Sequence, residues 1–296
     1  MKPKPPTNRR MRLEVEPVTM CAAAIASVDD HFELVIATDM KITTGYTSGD
    51  MQMIKFRSIH SRWIIMFAGK ISMRHELLQG IARRVDMGRE YTGDSMGEIC
   101  KDAFVEYQRK LSEEKILSPF GMTLDQFISS RNSIGDSLYE RTWGDISRVR
   151  VDIDLLVVGY HGADQPFPYI LQVSTPTEDN PSFVTRCDSG FGAVGTGAYL
   201  AESVLYSLGQ MVAAPLSITV YNLAAAKFTS ESASDVGRKT VLGLFKPDGR
   251  VLQLSAEFVE GFLRKEWGKH GRPHLRSSIL TKLIEGIDKQ TQPMKV

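Results

Sequence analysis

An acid, a lysine and a glycine follow one another at spacings that could bring them together in one chemical site. Asp39 ends the apolar run ELVIATD, Lys55 lies sixteen residues later, and Gly69 follows after fourteen more, directly before a helical pattern. Taken alone, an acid and a lysine at strand ends are usually solvated surface charges. In an apolar cleft they would have to form an ion pair, because an unpaired ammonium there is costly.

The segments around these residues predict strands followed by a helix. TMCAAAIAS and ELVIATD predict a hairpin through VDDHFE, and RWIIMFAG predicts a further strand that ends at Gly69. ISMRHELLQGIARRV then carries apolar residues at helical spacing. Strand, glycine turn and helix therefore follow one another at this point of the chain.

The rest of the chain alternates strands and helices in blocks. A helical region over roughly 95–128 is interrupted at SPFG, and IDLLVVGY, YILQVS, SFVTR and GFGAVG predict strands. GTGAYLAESVLYSLGQ and SITVYNLAAAKFTSE predict two helices, and TVLGLF with VLQLS predicts a closing hairpin. Blocks of strands with paired helices between them predict an α+β fold, a four-layer αββα sandwich of two stacked antiparallel sheets.

Composition narrows the classes of partner. The 296 residues carry a formal net charge of +1, which gives no general electrostatic reason for binding nucleic acid or an acidic membrane. The sequence has no run of 18 apolar residues, so we predict no membrane span. Three scattered cysteines favour a reducing, cytoplasmic compartment over a disulfide framework, and the histidine spacings give no case for a metal or another cofactor.

The spacing of Asp39, Gly45, Lys55 and Gly69 resembles that of the catalytic subunits of the proteasome and its bacterial ring-protease relatives, within the N-terminal-nucleophile (Ntn) hydrolases. The match is free of gaps over 39–69, and AVGTGAYLAE resembles the family's glycine, serine, glycine turn that opens a helix. The resemblance covers about residues 19–255. It implies a threonine peptidase that acts on peptides or proteins without metal or cofactor, in a homo-oligomeric ring, with any ATPase partner left open.

The resemblance also implies a role for each residue of the site. Thr19 would be the nucleophile, with its α-amine, freed by cleavage after Val18, as general base. Lys55 would lower the pKa of the hydroxyl and the amine, Asp39 would keep Lys55 charged and oriented, and the Gly69 N–H would stabilise the oxyanion by roughly 3 to 4 kcal/mol. The other implied residues are Thr196 in place of a supporting serine, Asp235 or else Ser232 as a second supporting residue, and Thr43, Gly45 and Ile71 at the substrate.

Two departures from the family keep other interpretations open. Val18 stands where self-processing members carry glycine, and Thr19 lies twenty residues before Asp39 rather than sixteen. An even insertion shared between the arms of a hairpin leaves the facing of the side chains unchanged. Cys21, at eighteen residues, is an alternative nucleophile for a small amide, and a scaffold subunit that keeps Thr19 internal is another alternative.

The chain divides into three parts by composition and resemblance. Residues 1–18 are basic and rich in proline, and we expect a disordered leader or propeptide-like tail. Residues 19–256 would form the hydrolase domain. Residues 257–296 contain the amphipathic stretch LRSSILTKLIEGI and predict a C-terminal extension used for packing or assembly.

Overall fold

The computed structural model describes residues 19–44, 47–50, 55–162, 164, 166–178, 180–233, 236–270 and 277–294, with the backbone alone for 42–44, 47–50, 71, 270 and 277–278. Over these residues the chain is α+β, with two large antiparallel sheets and eight α-helices. The predicted α+β class is therefore confirmed, and the arrangement is compatible with a sandwich.

The strands, in chain order, are β1 (Cys21–Val28), β2 (His31–Asp39), β3 (Lys41–Thr44), β4 (Thr47–Asp50), β5 (Phe56–His60), β6 (Trp63–Gly69), β7 (Ile153–His161), β8 (Phe167–Val173), β9 (Val184–Arg186), β10 (Phe191–Val194), β11 (Thr240–Phe245), β12 (Val251–Leu254) and β13 (Thr291–Pro293).

The α-helices are α1 (Ile71–Ala82), α2 (Gly93–Ser112), α3 (Leu124–Ser129), α4 (Asp136–Ser147), α5 (Ala198–Ser207), α6 (Leu216–Ser230), α7 (Arg264–His270) and α8 (Ser277–Gln290). A π-helical turn (Glu113–Leu117) and a 3-10 turn (Ser118–Phe120) follow α2, and a π-helical segment (Glu257–Leu263) leads into α7.

The two large sheets are each formed from strands that are distant in sequence. The six-stranded sheet has the order β10-β1-β2-β11-β12-β13, the five-stranded sheet has the order β5-β6-β7-β8-β9, and β3 pairs with β4 alone. Strands β1 and β2 form the predicted hairpin through a two-residue turn, with Cys21 opposite Thr38. Strand β10 lies on the other side of β1, so the first strand of the domain is an inner strand.

Three hydrophobic clusters define the order of the layers. One contains Cys21, Ala23 and Ile25 of β1 together with Ile64 and Met66 of β6, so the two sheets pack face to face. A second joins the opposite face of the six-stranded sheet to α5, α6 and α8. The third joins the opposite face of the five-stranded sheet to α1 and α2.

The burial of both faces explains why the first strands are continuous apolar runs. Ala22, Ala24 and Ala26 of β1 face the helices, and the intervening residues face the other sheet. A strand covered on both faces has no reason to alternate with polar residues. Small side chains in β1 leave room for α6, whose sequence LSITVYNLAAAKFTS is buried along most of its length, as expected for a helix that is apolar on nearly all sides.

The sequence patterns predicted most elements but missed several, among them α4 and β13. The helix over roughly 95–128 is broken at SPFG as predicted, where Gly121 takes a φ of +64°. Helix α4 was not predicted, and among its residues only Thr142 and Ile146 are buried. The C-terminal residues also form β13, which pairs with β12 and extends the six-stranded sheet.

Candidate active site

A threonine, a lysine and an aspartate meet in the interior, where β1 begins and β2 ends. Lys55 Nζ donates to Thr19 Oγ1 at 2.6 Å and to Asp39 Oδ1 at 2.7 Å. Thr19 is 5% exposed, Lys55 3% and Asp39 0%. The acid and the lysine are therefore a buried ion pair rather than separate surface charges, and the hydroxyl of Thr19 is the group that their lysine reaches.

The Asp39 carboxylate is fixed by backbone donors as well as by Lys55. Oδ1 accepts from the Met20 N–H at 3.0 Å, and Oδ2 accepts from the N–H groups of Gly237 at 3.0 Å and Lys41 at 3.2 Å. A buried carboxylate needs hydrogen-bond donors to replace the water that it has lost. The carboxylate thus has the partners that a buried charge requires, and it holds Lys55 in one position.

The turn before α5 lies against the backbone of Thr19. Thr196 Oγ1 accepts from the Thr19 N–H at 3.5 Å and donates to the Thr19 carbonyl at 3.4 Å. Gly195 has a φ of +96°, and a Cβ at this position would collide with the Thr19 carbonyl oxygen. Glycine is required here both for the backbone conformation and for the close approach.

Gly69 ends β6 in a conformation that only glycine adopts readily. Its φ is +128°, and a Cβ would lie 2.5 Å from the Asp152 carbonyl oxygen and 2.5 Å from Ile153 Cα. Strand β6 is paired with β7 up to this residue, where Gly69 lies opposite Ile153. The role of its N–H in stabilising an oxyanion stays a prediction.

Cys21 lies two residues along β1 from Thr19 but in a different environment. The thiol is fully buried between the sheets and donates to the Phe67 carbonyl at 3.5 Å. Desolvation raises the pKa of the Cys21 thiol to about 12, with the charge of Lys55 opposing the rise. A thiol in this setting forms little of the thiolate that a cysteine nucleophile needs.

The remaining predicted residues are only partly described. Asp235 and Gly45 lie outside the described residues, and Thr43 and Ile71 are described by their backbones alone, in β3 and at the start of α1. Ser232, the alternative to Asp235, is exposed, and its hydroxyl donates to the Thr229 carbonyl at 2.8 Å. The structure therefore brings together Thr19, Asp39, Lys55 and Thr196 and leaves the others as predictions.

The site also contains glycines that the spacing argument did not assign. Gly195 approaches Thr19, and Gly237 donates to Asp39. The GTG motif at 195–197 was the signal for the first, since glycines flanking a hydroxyl before a helix indicate close backbone contact. Gly237 has no such signal, because the described residues around it, 236–239, belong to no helix or strand.

Metal-binding clusters and membrane-spanning helices are both absent from the described residues. No cluster of three or more His, Cys, Asp or Glu side chains suited to a metal ion occurs among them. Of the helices in the described ranges, none has the length and apolar character needed to cross a membrane.

Comparison with known proteins gives no assignment. No model of a protein family matches the chain, and no curated protein matches it.

Proposed function

We propose that this chain is a proteasome-like Ntn hydrolase that cleaves amide bonds, and in particular peptides, through Thr19. The observation that carries the proposal is the buried chain of contacts from Asp39 through Lys55 to the Thr19 hydroxyl, with separations of 2.7 and 2.6 Å. Two sheets packed face to face with helices on both outer surfaces also agree with the fold of that family, a four-layer αββα sandwich.

The ammonium of Lys55 supplies the electrostatic part of the mechanism. It donates directly to Thr19 Oγ1, so it stabilises the negative charge that develops on this oxygen when the proton leaves. Asp39 keeps the ammonium in place through the ion pair at 2.7 Å. The site excludes most solvent, which strengthens both interactions.

Cleavage after Val18 would supply the base. The Thr19 nitrogen already lies 3.5 Å from Thr196 Oγ1, and the amine released by cleavage would stay within reach of the same hydroxyl. The free amine takes the proton of the Thr19 hydroxyl, and Oγ1 attacks the substrate carbonyl. The same amine then returns the proton to the substrate nitrogen as the amide bond breaks, so that the amine product leaves and an acyl-enzyme remains. The Gly69 N–H is the proposed oxyanion donor, and water then hydrolyses the ester and restores Thr19.

The resemblance extends the proposal to substrate and assembly. Ile71, two residues beyond Gly69, falls where the family lines its first specificity pocket and suggests a preference for a medium apolar side chain. We propose that identical chains form a ring in the cytoplasm and that an ATPase, if one is used, supplies unfolded substrate.

The N-terminus of protein made in its own host tests the proposal. Intact-mass analysis and N-terminal sequencing should find a chain that starts at Thr19. A chain that keeps Val18 would contradict the threonine mechanism and favour the scaffold alternative, in which Thr19 stays internal. A start at Cys21 would favour the cysteine nucleophile, against which the buried, high-pKa thiol argues.

Four variants separate the candidate nucleophiles in the same preparation. Thr19→Ala and Lys55→Ala should each abolish hydrolysis of peptide reporters, and their losses should not add, because both residues act as one unit. Cys21→Ala should retain hydrolysis. Lys246→Ala is the matched control for Lys55, since Lys246 pairs with Glu33 in the six-stranded sheet. Activity that survives Lys55→Ala would contradict the mechanism.

A further inference from the structure

A fully buried lysine, Lys227, contacts the same glycine as Asp39. Lys227 of α6 is 0% exposed, and its Nζ donates to the Gly237 carbonyl at 2.8 Å and to Glu231 Oε1 at 2.7 Å. Desolvation lowers the pKa of Lys227, and the carboxylates of Glu231 and Asp39 oppose that change. A charge in the core requires such partners, and one of them is the backbone of a segment that also serves the candidate active site.

Gly237 connects this lysine to the site through its two backbone groups. Its carbonyl accepts from Lys227, and its N–H donates to Asp39 Oδ2 at 3.0 Å. The Asp39 carboxylate in turn holds Lys55 against Thr19. Lys227 thus contacts the same residue that donates to Asp39, and it can fix the position of the Gly237 N–H.

The start of α7 contacts the same segment through Arg264. Arg264, the first residue of α7, makes a two-pronged ion pair with Glu231, with both N–O distances 2.8 Å. It also donates to the Arg238 carbonyl at 2.8 Å, and its guanidinium lies over the Phe228 ring. Glu231 therefore joins Lys227 to Arg264, and residues 237 and 238 are each held by one of the two cations.

We propose that Lys227 and Arg264 are positioning residues that hold Gly237 against Asp39, so that Arg264 links the start of α7 to the reactivity of Thr19. The effect on hydrolysis rests on the proposed function. The effect on the Lys55 ammonium does not, because it follows from the contacts alone. Lys227 and Arg264 act on Thr19 through residues 237 and 238, Asp39 and Lys55. Their removal should therefore change the rate rather than substrate binding.

Two variants with different risks test this inference. Lys227→Met removes the donor to Gly237 but leaves Glu231 paired with Arg264, and an apolar side chain of similar size is tolerated in a core. Arg264→Met removes the support at Arg238 and leaves Glu231 paired with Lys227. Lys246→Met is the matched control, because Lys246 also pairs with a buried glutamate, Glu33, at the opposite end of β11 from Asp39.

Hydrolysis gives the first readout. Each variant should lower kcat about 10-fold, as expected for a weakened hydrogen bond to a charged group, while KM stays unchanged. A general loss of structure would not lower kcat while leaving KM and the melting temperature unchanged.

Solvent exchange of the Lys55 ammonium protons gives the second readout and needs no enzyme activity. It is followed by NMR on protein with ¹⁵N-labelled lysine, with the signal assigned by its loss in Lys55→Arg. Exchange should accelerate about 10-fold in Lys227→Met and in Arg264→Met, and not in Lys246→Met. Where Lys227→Met fails to fold, Arg264→Met decides the question, since the Arg264 side chain is partly exposed.

The two readouts separate the inference from the proposed function. The first outcome is faster exchange of the Lys55 ammonium protons in both variants, together with a wild-type protein that hydrolyses no reporter. It would support the inference and contradict the proposed function. An active wild-type protein whose two variants leave kcat and Lys55 exchange unchanged would overturn the inference alone.

Discussion

The buried pair of Asp39 and Lys55 should respond asymmetrically when one partner is removed. In Lys55→Met, the Asp39 carboxylate keeps its three backbone donors from Met20, Lys41 and Gly237. In Asp39→Ala, the ammonium of Lys55 keeps the Thr19 hydroxyl oxygen but loses its anion, and the three backbone donors lose their acceptor. The loss of the acid should therefore be the more damaging change.

The contacts set the magnitudes. Breaking a buried ion pair by removing one partner costs about 3–5 kcal/mol, and we expect Asp39→Ala to lie near 4 kcal/mol, which corresponds to a fall in melting temperature of about 10 °C. Lys55→Met should cost about 1–2 kcal/mol, because each hydrogen bond that remains on a charged group is worth about 1.5–3 kcal/mol. The double variant should cost no more than Asp39→Ala alone, which gives a coupling energy of about 1–2 kcal/mol.

Urea titrations of the wild type, both single variants and the double variant measure these free energies of unfolding. The cycle is informative whether or not the protein is an enzyme. Equal losses for the two single variants, or losses that add in the double variant, would refute the reasoning from hydrogen bonds. A cost below about 0.5 kcal/mol for Asp39→Ala would mean that the pair is exposed in solution.

Three further predictions concern other parts of the molecule. Gly195→Ala should lower the free energy of unfolding by more than about 2 kcal/mol, since it combines a φ of +96° with a collision at Thr19. Gly209→Ala is the control, with a φ of +67° and open space around the new Cβ, and it should cost only about 1 kcal/mol. Equal urea midpoints for the two variants would contradict this prediction. Desolvation, with the charge of Asp152, raises the pKa of Asp154 from 3.8 to about 6. The folded state then binds this proton more tightly than the unfolded state, so its contribution to stability falls as the pH rises from about 4 to about 6. Asp154→Asn should remove that slope and raise stability at neutral pH by up to about 3 kcal/mol, and urea midpoints that differ from wild type by the same amount at every pH would contradict it. Burial raises the pKa of all three cysteine thiols to about 12, so an aromatic disulfide reagent at about pH 8 should react slowly with the native chain and rapidly once it is unfolded; fast reaction of any one thiol in the native state would contradict this.

The elements that the sequence predicted are those whose local pattern matches their environment. Strands β1, β2, β6 and β7 are apolar runs bounded by turn residues, and they are buried on both faces. The pairing of the acid and the lysine was predicted from the resemblance to the Ntn hydrolases, because charges at strand ends are otherwise usually solvated. Helix α4 was missed although Tyr139, Trp143 and Ile146 recur at helical spacing, and most of its residues are exposed.

The support behind Asp39 was beyond the reach of sequence reasoning. Lys227 stands in an apolar helix, where a single lysine usually indicates the exposed side, and its partners are a backbone carbonyl and Glu231 on the same helix. Gly237 contacts a residue 198 positions away. The sequence order also gave no reason for β10 to join β1 rather than β9, and that pairing brings Thr196 beside Thr19.

The position of β1 between β2 and β10 has a consequence for how the protein folds. The hairpin with β2 closes over two residues, but β10 and Thr196 come from more than 160 positions further along the chain. Contacts of such high sequence separation form late, because the loop must close before the pairing is rewarded. The candidate site is therefore complete only after Thr196 and Gly237 have been synthesised, long after Asp39 and Lys55.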